Sequence, residues 1–165
     1  MASQVLEPPA DQGEVFNASV RPDGHMSKMI NVADLQWAPF PLPGTSFKGL
    51  HLDDASGRAT FLLKIPAGMK ADAHKHLASV EAYVVQGGFS YPGEGTVRAG
   101  DYVWEPGGTV HEPEGEGGED LILFVVAHGA VQGVNPDGTP GGVIDNDLIY
   151  EFAKAAGQHQ HLRRA

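Results

Sequence analysis

The chain has 165 residues, enough for one domain with a buried core, and it contains no cysteine, which excludes thiolate metal sites, disulfide scaffolds and cysteine nucleophiles. Its formal net charge of −10 argues against binding to nucleic acid or to anionic lipid. The first residues lack the basic start and apolar stretch of a signal peptide, and no apolar run could cross a bilayer, so we expect a cytoplasmic protein with no membrane partner.

Residues 1–28 are acidic, contain proline and show no apolar periodicity, which predicts an N-terminal arm that is either disordered or exchanged with a second copy. Residues 29–144 differ, because they contain short β-rich runs separated by glycine and proline turns. The predicted strands are 35–40, 45–52, 59–65, 80–86, 101–105, 121–129 and 130–134. Many short strands at close spacing predict an all-β sandwich or barrel.

The strand that begins at residue 121 reads LILFVVA, which is apolar on both faces and predicts a central strand covered on both sides. Residues 135–142 read as a turn. Residues 145–157 then have an Asp or Asn available as N-cap, apolar residues at helical spacing and a closing Gly157, which predict one C-terminal helix on the outside of the barrel. We expect the polar tail that follows, with His159 and His161, to be solvated.

The segment 68–88 contains the first candidate metal ligands. His74 and His76 stand two residues apart, so on a strand both imidazoles project from the same face. Glu81 opens the next apolar run and could return a carboxylate to the same centre. Two neutral imidazoles and a carboxylate suit a first-row divalent metal, and Fe(II), Mn, Ni and Zn are all acceptable.

The segment 100–111 contains a third histidine. A predicted strand ends at a Pro-Gly-Gly turn, and His111 follows three residues later. Such a turn redirects the chain, so we expect His111 to meet the first pair from a neighbouring strand. Asp101 and Glu105 flank this segment, and we assign them to turns or to hydrogen bonds with metal-bound imidazoles.

These segments resemble the two motifs of the cupin superfamily, the RmlC-like cupins. The first motif reads Gly, five residues, His-x-His, three or four residues, Glu, six residues, Gly, and it is filled by Gly68, His74, His76, Glu81 and Gly88. The second motif is matched by Gly100, Pro106, Gly108 and His111, while Gly115 stands where Asn is expected. The resemblance implies a double-stranded β-helix, or jelly-roll barrel, with an N-terminal arm and one C-terminal helix. It also implies one metal held by His74, His76, Glu81 and His111.

A closer resemblance covers most of the predicted barrel. Runs such as WAPFPLPGTSFKGL, ATFLLKIPAG, EAYVVQGG and GDYVWEPGGTVH are similar to cupins grouped with dihydroxyacetophenone dioxygenase and acetylacetone-cleaving dioxygenase. This similarity implies a non-haem Fe(II) enzyme that uses O₂ to cleave a carbon–carbon bond in a diketone or hydroxyketone, with the chemistry at the metal. Because cupins commonly dimerise, a homodimer is expected. Related cupin domains also occur in anti-sigma regulators.

The sequence leaves open which residue is the fourth metal ligand and which residues line a substrate cavity. Glu94 is a second carboxylate that could reach the metal, and three imidazoles alone would also serve, so the choice between Glu81, Glu94 and neither stays open. Tyr83 lies two residues beyond Glu81, so we expect both to face the barrel interior. The candidates for lining a cavity for a planar or aromatic ketone, with core packing as the alternative, are Phe47, Tyr83, Trp104 and Phe124.

Three functions remain open at this stage. The first is the dioxygenase, and the second is an isomerase or hydrolase that uses Zn, Mn or Ni as a Lewis acid; the residues do not separate these two, because histidine ligands accept all of these metals. The third is a metal-binding sensor. Residues 1–28 are short, acidic and without a long amphipathic helix, which argues against the sensor.

Overall fold

The computed structural model describes residues 6–8 and 28–162, so the predicted N-terminal arm lies almost wholly outside the described residues. The described part of the chain forms thirteen strands, one α-helix and two short 3-10 helices. The strands are β1 (Ala38–Pro39), β2 (Ser46–Asp53), β3 (Arg58–Ile65), β4 (His74–His76), β5 (Val80–Gln86), β6 (Gly88–Tyr91), β7 (Gly95–Arg98), β8 (Tyr102–Glu105), β9 (Val110–His111), β10 (Glu114–Gly115), β11 (Leu121–Ala127), β12 (Val131–Val134) and β13 (Pro140–Ile144). The helix α1 spans Asn146–Ala155, and the 3-10 helices span Val32–Asp34 and Gln160–Leu162.

The strands form three antiparallel sheets. The largest has six strands in the order β1-β2-β3-β11-β5-β8, the second has four in the order β13-β12-β4-β9, and the third has three in the order β10-β6-β7. This arrangement confirms the predicted all-β jelly roll with a C-terminal helix. None of the described helices is long and apolar enough to cross a membrane.

Alternate residues of the six-stranded sheet form the core. Phe61 on β3, Val84 on β5 and Leu123 on β11 are buried together, and each such side chain stabilises the fold by about 1.5–3 kcal/mol. The prediction that β11 is central is confirmed, because it pairs with β3 on one side and β5 on the other. The prediction that both its faces are covered is wrong, because Phe124 on the outer face is exposed.

The helix α1 begins and ends where the sequence predicts. The Asp145 side chain accepts a hydrogen bond from the Leu148 amide at 3.0 Å, which caps the first turn. Gly157 follows the last turn with a φ of 69°, a left-handed conformation that glycine adopts without strain. Ile149 and Phe152 are buried in the main core, so the helix packs against β1 and β2 and shares its apolar face with the core.

The expectation of a solvated tail is wrong. The His161 ring donates a hydrogen bond from Nε2 to the Gly49 carbonyl oxygen at 2.8 Å, and burial lowers the pKa of this histidine. Leu162 is also fully buried. Gly49 leaves room for it, because a Cβ at that position would lie 2.8 Å from a Leu162 methyl carbon. The tail therefore packs on β2 as part of the fold.

Replacing Leu162 with alanine should lower the free energy of unfolding by about 2–5 kcal/mol, because the buried side chain leaves a cavity against β2. Urea denaturation measures this change. Leu77→Ala, at an exposed leucine, is the matched control and should change stability by less than about 0.5 kcal/mol. A Leu162→Ala variant as stable as wild type would mean that the tail does not pack on the barrel.

Candidate metal centre

The structure brings the three motif histidines together. His74 and His76 lie on β4, and His111 lies on β9, which pairs with β4 so that His74 and His111 are direct cross-strand partners. The His111 Nε2 atom is 3.0 Å from the Nε2 of His74 and 3.1 Å from the Nε2 of His76. Three imidazole nitrogens from two neighbouring strands thus converge on one place.

The Pro-Gly-Gly turn before β9 is held against the histidine strand. The Gly108 amide donates a hydrogen bond to the His76 carbonyl oxygen at 2.8 Å, and Gly108 has a φ of 90° that favours glycine. A Cβ at Gly107 would lie 3.0 Å from the Ala78 Cα, so a larger residue would push the turn away. Both glycines therefore help to bring His111 to β4.

Burial keeps the imidazoles of the cluster uncharged. The His74 Nδ1 lies 2.8 Å from the Asp72 carbonyl oxygen, so Nδ1 carries the proton and Nε2 keeps its lone pair. Burial lowers the pKa of His74 to about 4, and it also lowers the pKa of His111. Both rings are therefore uncharged near neutral pH, which is the state that binds a metal.

Glu105 is the carboxylate that accompanies the histidines. Its Oε2 atom lies 2.7 Å from the His76 Nε2 and 3.9 Å from the His111 Nε2, and its side chain is only 15% exposed. On β8 it pairs with Val80 of β5, so both side chains point to the interior of the barrel. The sequence analysis assigns Glu105 to a turn or to a hydrogen bond with an imidazole of the site. The structure does place it against an imidazole, but at Nε2, the atom that also faces His111, which the sequence does not predict.

Glu81, the expected fourth ligand, lies on the opposite face of β5, and this is a correction to the sequence analysis. Its carboxylate is 2.8 Å from the His128 Nε2 and accepts a hydrogen bond from the Tyr102 hydroxyl at 2.9 Å. These hydrogen bonds lower the pKa of Glu81. The first motif allows three or four residues before its Glu; the shorter spacing corresponds to Val80, which faces inward, and the longer one reaches Glu81, which faces outward.

Glu94, the other candidate carboxylate, lies in the exposed turn between β6 and β7. Its amide donates a hydrogen bond to the Tyr91 carbonyl oxygen at 3.0 Å, which closes that turn. Its negative charge slightly opposes the lowering of the His111 pKa. Glu94 therefore contributes to the electrostatics of the site from outside the histidine cluster.

A cavity of about 140 Å³ opens beside the histidines in the interior of the barrel. Its wall is mostly apolar and includes Phe40, Phe61, Met69, Leu123 and Val125. Among the described residues, the polar side chains in its lining are Asp72, His74, His76 and Glu105. No basic side chain of the described chain lines the cavity.

The residues predicted to line a substrate cavity do not do so. Phe47 is fully buried in the core, where its ring packs against Phe40 at 5.4 Å. Tyr83, Trp104 and Phe124 are exposed on the outer face of the six-stranded sheet. The error follows from Glu81, because the prediction that Tyr83 faces the interior depends on Glu81 facing the metal. The apolar alternation Val80, Ala82, Val84 was the signal that marks the true inward row.

The cluster has the donor set of a metal site. The His74 Nε2 carries no proton and cannot donate a hydrogen bond. A single proton on the His111 Nε2 cannot form a full hydrogen bond to both the His74 and the His76 Nε2 atoms. A protonated His76 Nε2 would face the proton on His111 Nε2 at 3.1 Å, and an unprotonated one would face the Glu105 carboxylate at 2.7 Å, so hydrogen bonding alone leaves the cluster unsatisfied. A cation bound by the three Nε2 atoms would satisfy them, and three imidazoles beside a carboxylate suit a first-row divalent metal.

The fold is similar to several solved structures. An RmlC-like cupin protein from Ralstonia eutropha is 28% identical, with a TM-score of 0.68 over 79% of this chain and 87% of that chain. A candidate acetylacetone dioxygenase from Methylibium petroleiphilum is 26% identical, with a TM-score of 0.67 over 79% of this chain and 94% of that one. An acetylacetone dioxygenase from Acinetobacter johnsonii is 19% identical, with a TM-score of 0.66 over 81% and 91% of the two chains, a likeness of fold alone. Among curated proteins, none matches this sequence.

The model of the ChrR cupin-like domain family matches residues 25–132. This stretch is more than half of the chain, and it contains β4 and β9, the two strands that hold the three histidines. The chain therefore belongs to the family of ChrR-like cupin domains.

Proposed function

We propose that this protein is a non-haem Fe(II) dioxygenase that cleaves a carbon–carbon bond in a small diketone or hydroxyketone. The observation that carries the proposal is the convergence of three histidine Nε2 atoms, two of which belong to residues that line an apolar cavity, His74 and His76. His74, His76 and His111 would hold the metal, with Glu105 in the place that the sequence assigned to Glu81. Bound there, Fe(II) supplies Lewis acidity toward ketone oxygens and the redox capacity for O₂ chemistry.

The cavity supports a small, uncharged substrate. A volume of about 140 Å³ is close to that of a protein cavity that binds benzene, so it suits a short-chain dicarbonyl better than a large molecule. No basic side chain of the described residues lines it, so a substrate carboxylate would be buried without a counter-charge, which is costly. The lining thus favours neutral ketones with short apolar groups.

Glu105 is placed to act as a general base that accepts a proton from such a substrate. A diketone or hydroxyketone that binds as its enolate must lose a proton, and a carboxylate beside the ligand nitrogens can accept it. Glu105 Oε2 lies 2.7 Å from the His76 Nε2, inside the cavity. The hydrogen bond from His74 Nδ1 to the Asp72 carbonyl oxygen fixes the His74 ring and directs its Nε2 to the same point.

The dioxygenase assignment draws on the 26% identity to the candidate acetylacetone dioxygenase over most of both chains. A metal-binding sensor is the second candidate, because the family model that matches is that of a ChrR cupin-like domain. A redox-inert enzyme that uses Zn, Mn or Ni is the third, because the same histidines would accept these ions.

Oxygen uptake by anaerobically Fe(II)-loaded protein tests the proposed activity. A panel of short β-diketones and α-hydroxyketones should include at least one that triggers uptake with release of a carboxylic acid. Zn-loaded protein is the control and should consume no oxygen, because zinc has no redox chemistry. An iron-loaded protein that is inactive across the whole panel would contradict the proposal and favour the sensor or the redox-inert enzyme.

Two glutamates, Glu105 and Glu81, form a matched pair for testing the ligand environment. Glu105→Gln should weaken Fe(II) binding about 10- to 100-fold, because it removes the carboxylate beside His76 while preserving its size. Glu81→Gln should leave the affinity unchanged, because this residue bonds His128 and Tyr102 on the outer face. Competition with a chromophoric chelator measures both affinities. The assignment fails if the Glu81 variant shows the larger loss.

A further inference from the structure

His111 is the candidate ligand with the least support around its ring. The His74 ring is fixed by the hydrogen bond from its Nδ1 to the Asp72 carbonyl oxygen, and His76 is buried in the barrel interior. No described residue forms a hydrogen bond with the His111 Nδ1. Its strand β9 has two residues and is the last strand of the four-stranded sheet, so β4 is its one partner among the described strands of that sheet. The orientation of the His111 ring therefore depends on another contact.

The ring of Tyr91 stacks on the imidazole of His111. The two ring centroids lie 5.3 Å apart, and the ring planes are 25° from parallel. Such an offset stack is one of the arrangements that aromatic rings prefer. The His74 and His76 rings meet the His111 ring at 70° and 76°, and both belong to the candidate ligands. Among the described residues, Tyr91 is thus the aromatic side chain outside the ligand set that lies nearly parallel to the imidazole.

Tyr91 is held in place by the three-stranded sheet. It lies on β6, the middle strand of that sheet, and pairs with Gly95 of β7. Phe89 shares its face of β6, is buried in the core and contacts the Tyr91 ring edge-on, with centroids 5.2 Å apart. β10, which also pairs with β6, follows β9 after two residues, so this sheet lies next to His111. The stack therefore connects the three-stranded sheet to the strand of the third histidine.

The hydroxyl of Tyr91 has no visible task at this place. It is buried and has no hydrogen-bond partner among the described residues. Tyr91 is also outside the lining of the cavity, so its hydroxyl is not placed to contact a substrate. What Tyr91 contributes to the site is therefore the face of its ring, which phenylalanine would also supply.

We propose that Tyr91 is a positioning residue of the metal centre, whose ring holds the His111 imidazole with Nε2 directed at the Nε2 atoms of His74 and His76. Ligand atoms that already converge bind a metal more tightly than ligands that must first be ordered, because binding does not then cost the rotational freedom of a side chain. Groups that orient a metal-bound imidazole are worth about 10- to 100-fold in metal affinity. This role depends on the metal centre and not on the dioxygenase chemistry, since an ordered His111 serves Fe(II) and Zn alike.

The affinity for Co(II), measured by competition with a chromophoric chelator, tests this role. Tyr91→Leu should weaken Co(II) binding about 10- to 100-fold, because it removes the stacked ring while keeping an apolar side chain. Tyr91→Phe should bind Co(II) as tightly as the wild type, because the ring alone orients His111. Tyr83→Leu, the same change at a tyrosine exposed on the outer face of β5, is the matched control and should also bind as the wild type does. A Tyr91→Leu variant with wild-type affinity, or a Tyr91→Phe variant as weak as Tyr91→Leu, would overturn the role.

Two further readouts separate positioning from ordinary core packing. The visible absorption of bound Co(II) should change in Tyr91→Leu, because a displaced His111 alters the ligand geometry. A variant in which only the urea stability of the metal-free protein falls would overturn the role. In Zn-loaded wild type, which needs no substitution, NMR should show cross-relaxation between the ring protons of Tyr91 and His111, and its absence would overturn the role even if Tyr91→Leu failed to fold. None of these measurements uses oxygen, so their results are independent of the oxygen-uptake assay.

Discussion

The two-residue alternation of side chains along β5 is the constraint on which the rest of the structure depends. Val80, Ala82 and Val84 face the interior, so Glu81 and Tyr83 must face outward. A shift of one residue would exchange the two sets completely. The cross-strand pairing of Val80 with Glu105 then places a carboxylate of β8 at the inward position that Glu81 does not occupy. The composition of the candidate metal centre therefore follows from strand register as much as from the motif histidines.

The same alternation gives the sheet two different surfaces. Its inner face lines an apolar cavity, and beside that cavity burial keeps His74 and His111 uncharged, the state in which an imidazole can bind a metal. On β5, β8 and β11 its outer face presents aromatic and apolar residues together with one carboxylate, Glu81, which bonds His128 and Tyr102. The candidate metal centre thus combines histidines of the four-stranded sheet with an inward glutamate of the six-stranded sheet, and it uses none of the outward side chains of β5, β8 and β11.

Much of the fold and part of the site could be predicted from the sequence. The histidine spacing and the Pro-Gly-Gly turn place His74, His76 and His111 correctly, because these features are local and depend on strand geometry and glycine conformation. The motif could not predict which face of β5 carries Glu81. It allows three or four residues between His76 and the glutamate, and a difference of one residue moves a side chain to the opposite face of the strand. The burial of Leu162 depends on the space above Gly49, a contact across more than a hundred residues that no local pattern encodes.

The most direct test of the account is the iron content of protein reconstituted with Fe(II) without oxygen and then desalted. The account predicts about one iron per chain in the wild type and in His51→Ala, which changes an exposed histidine of β2 outside the cluster. It predicts a value well below one in His76→Ala, with the fold intact by circular dichroism. Full iron occupancy in His76→Ala, or none in the wild type, would contradict the central claim that β4 and β9 together build a metal centre.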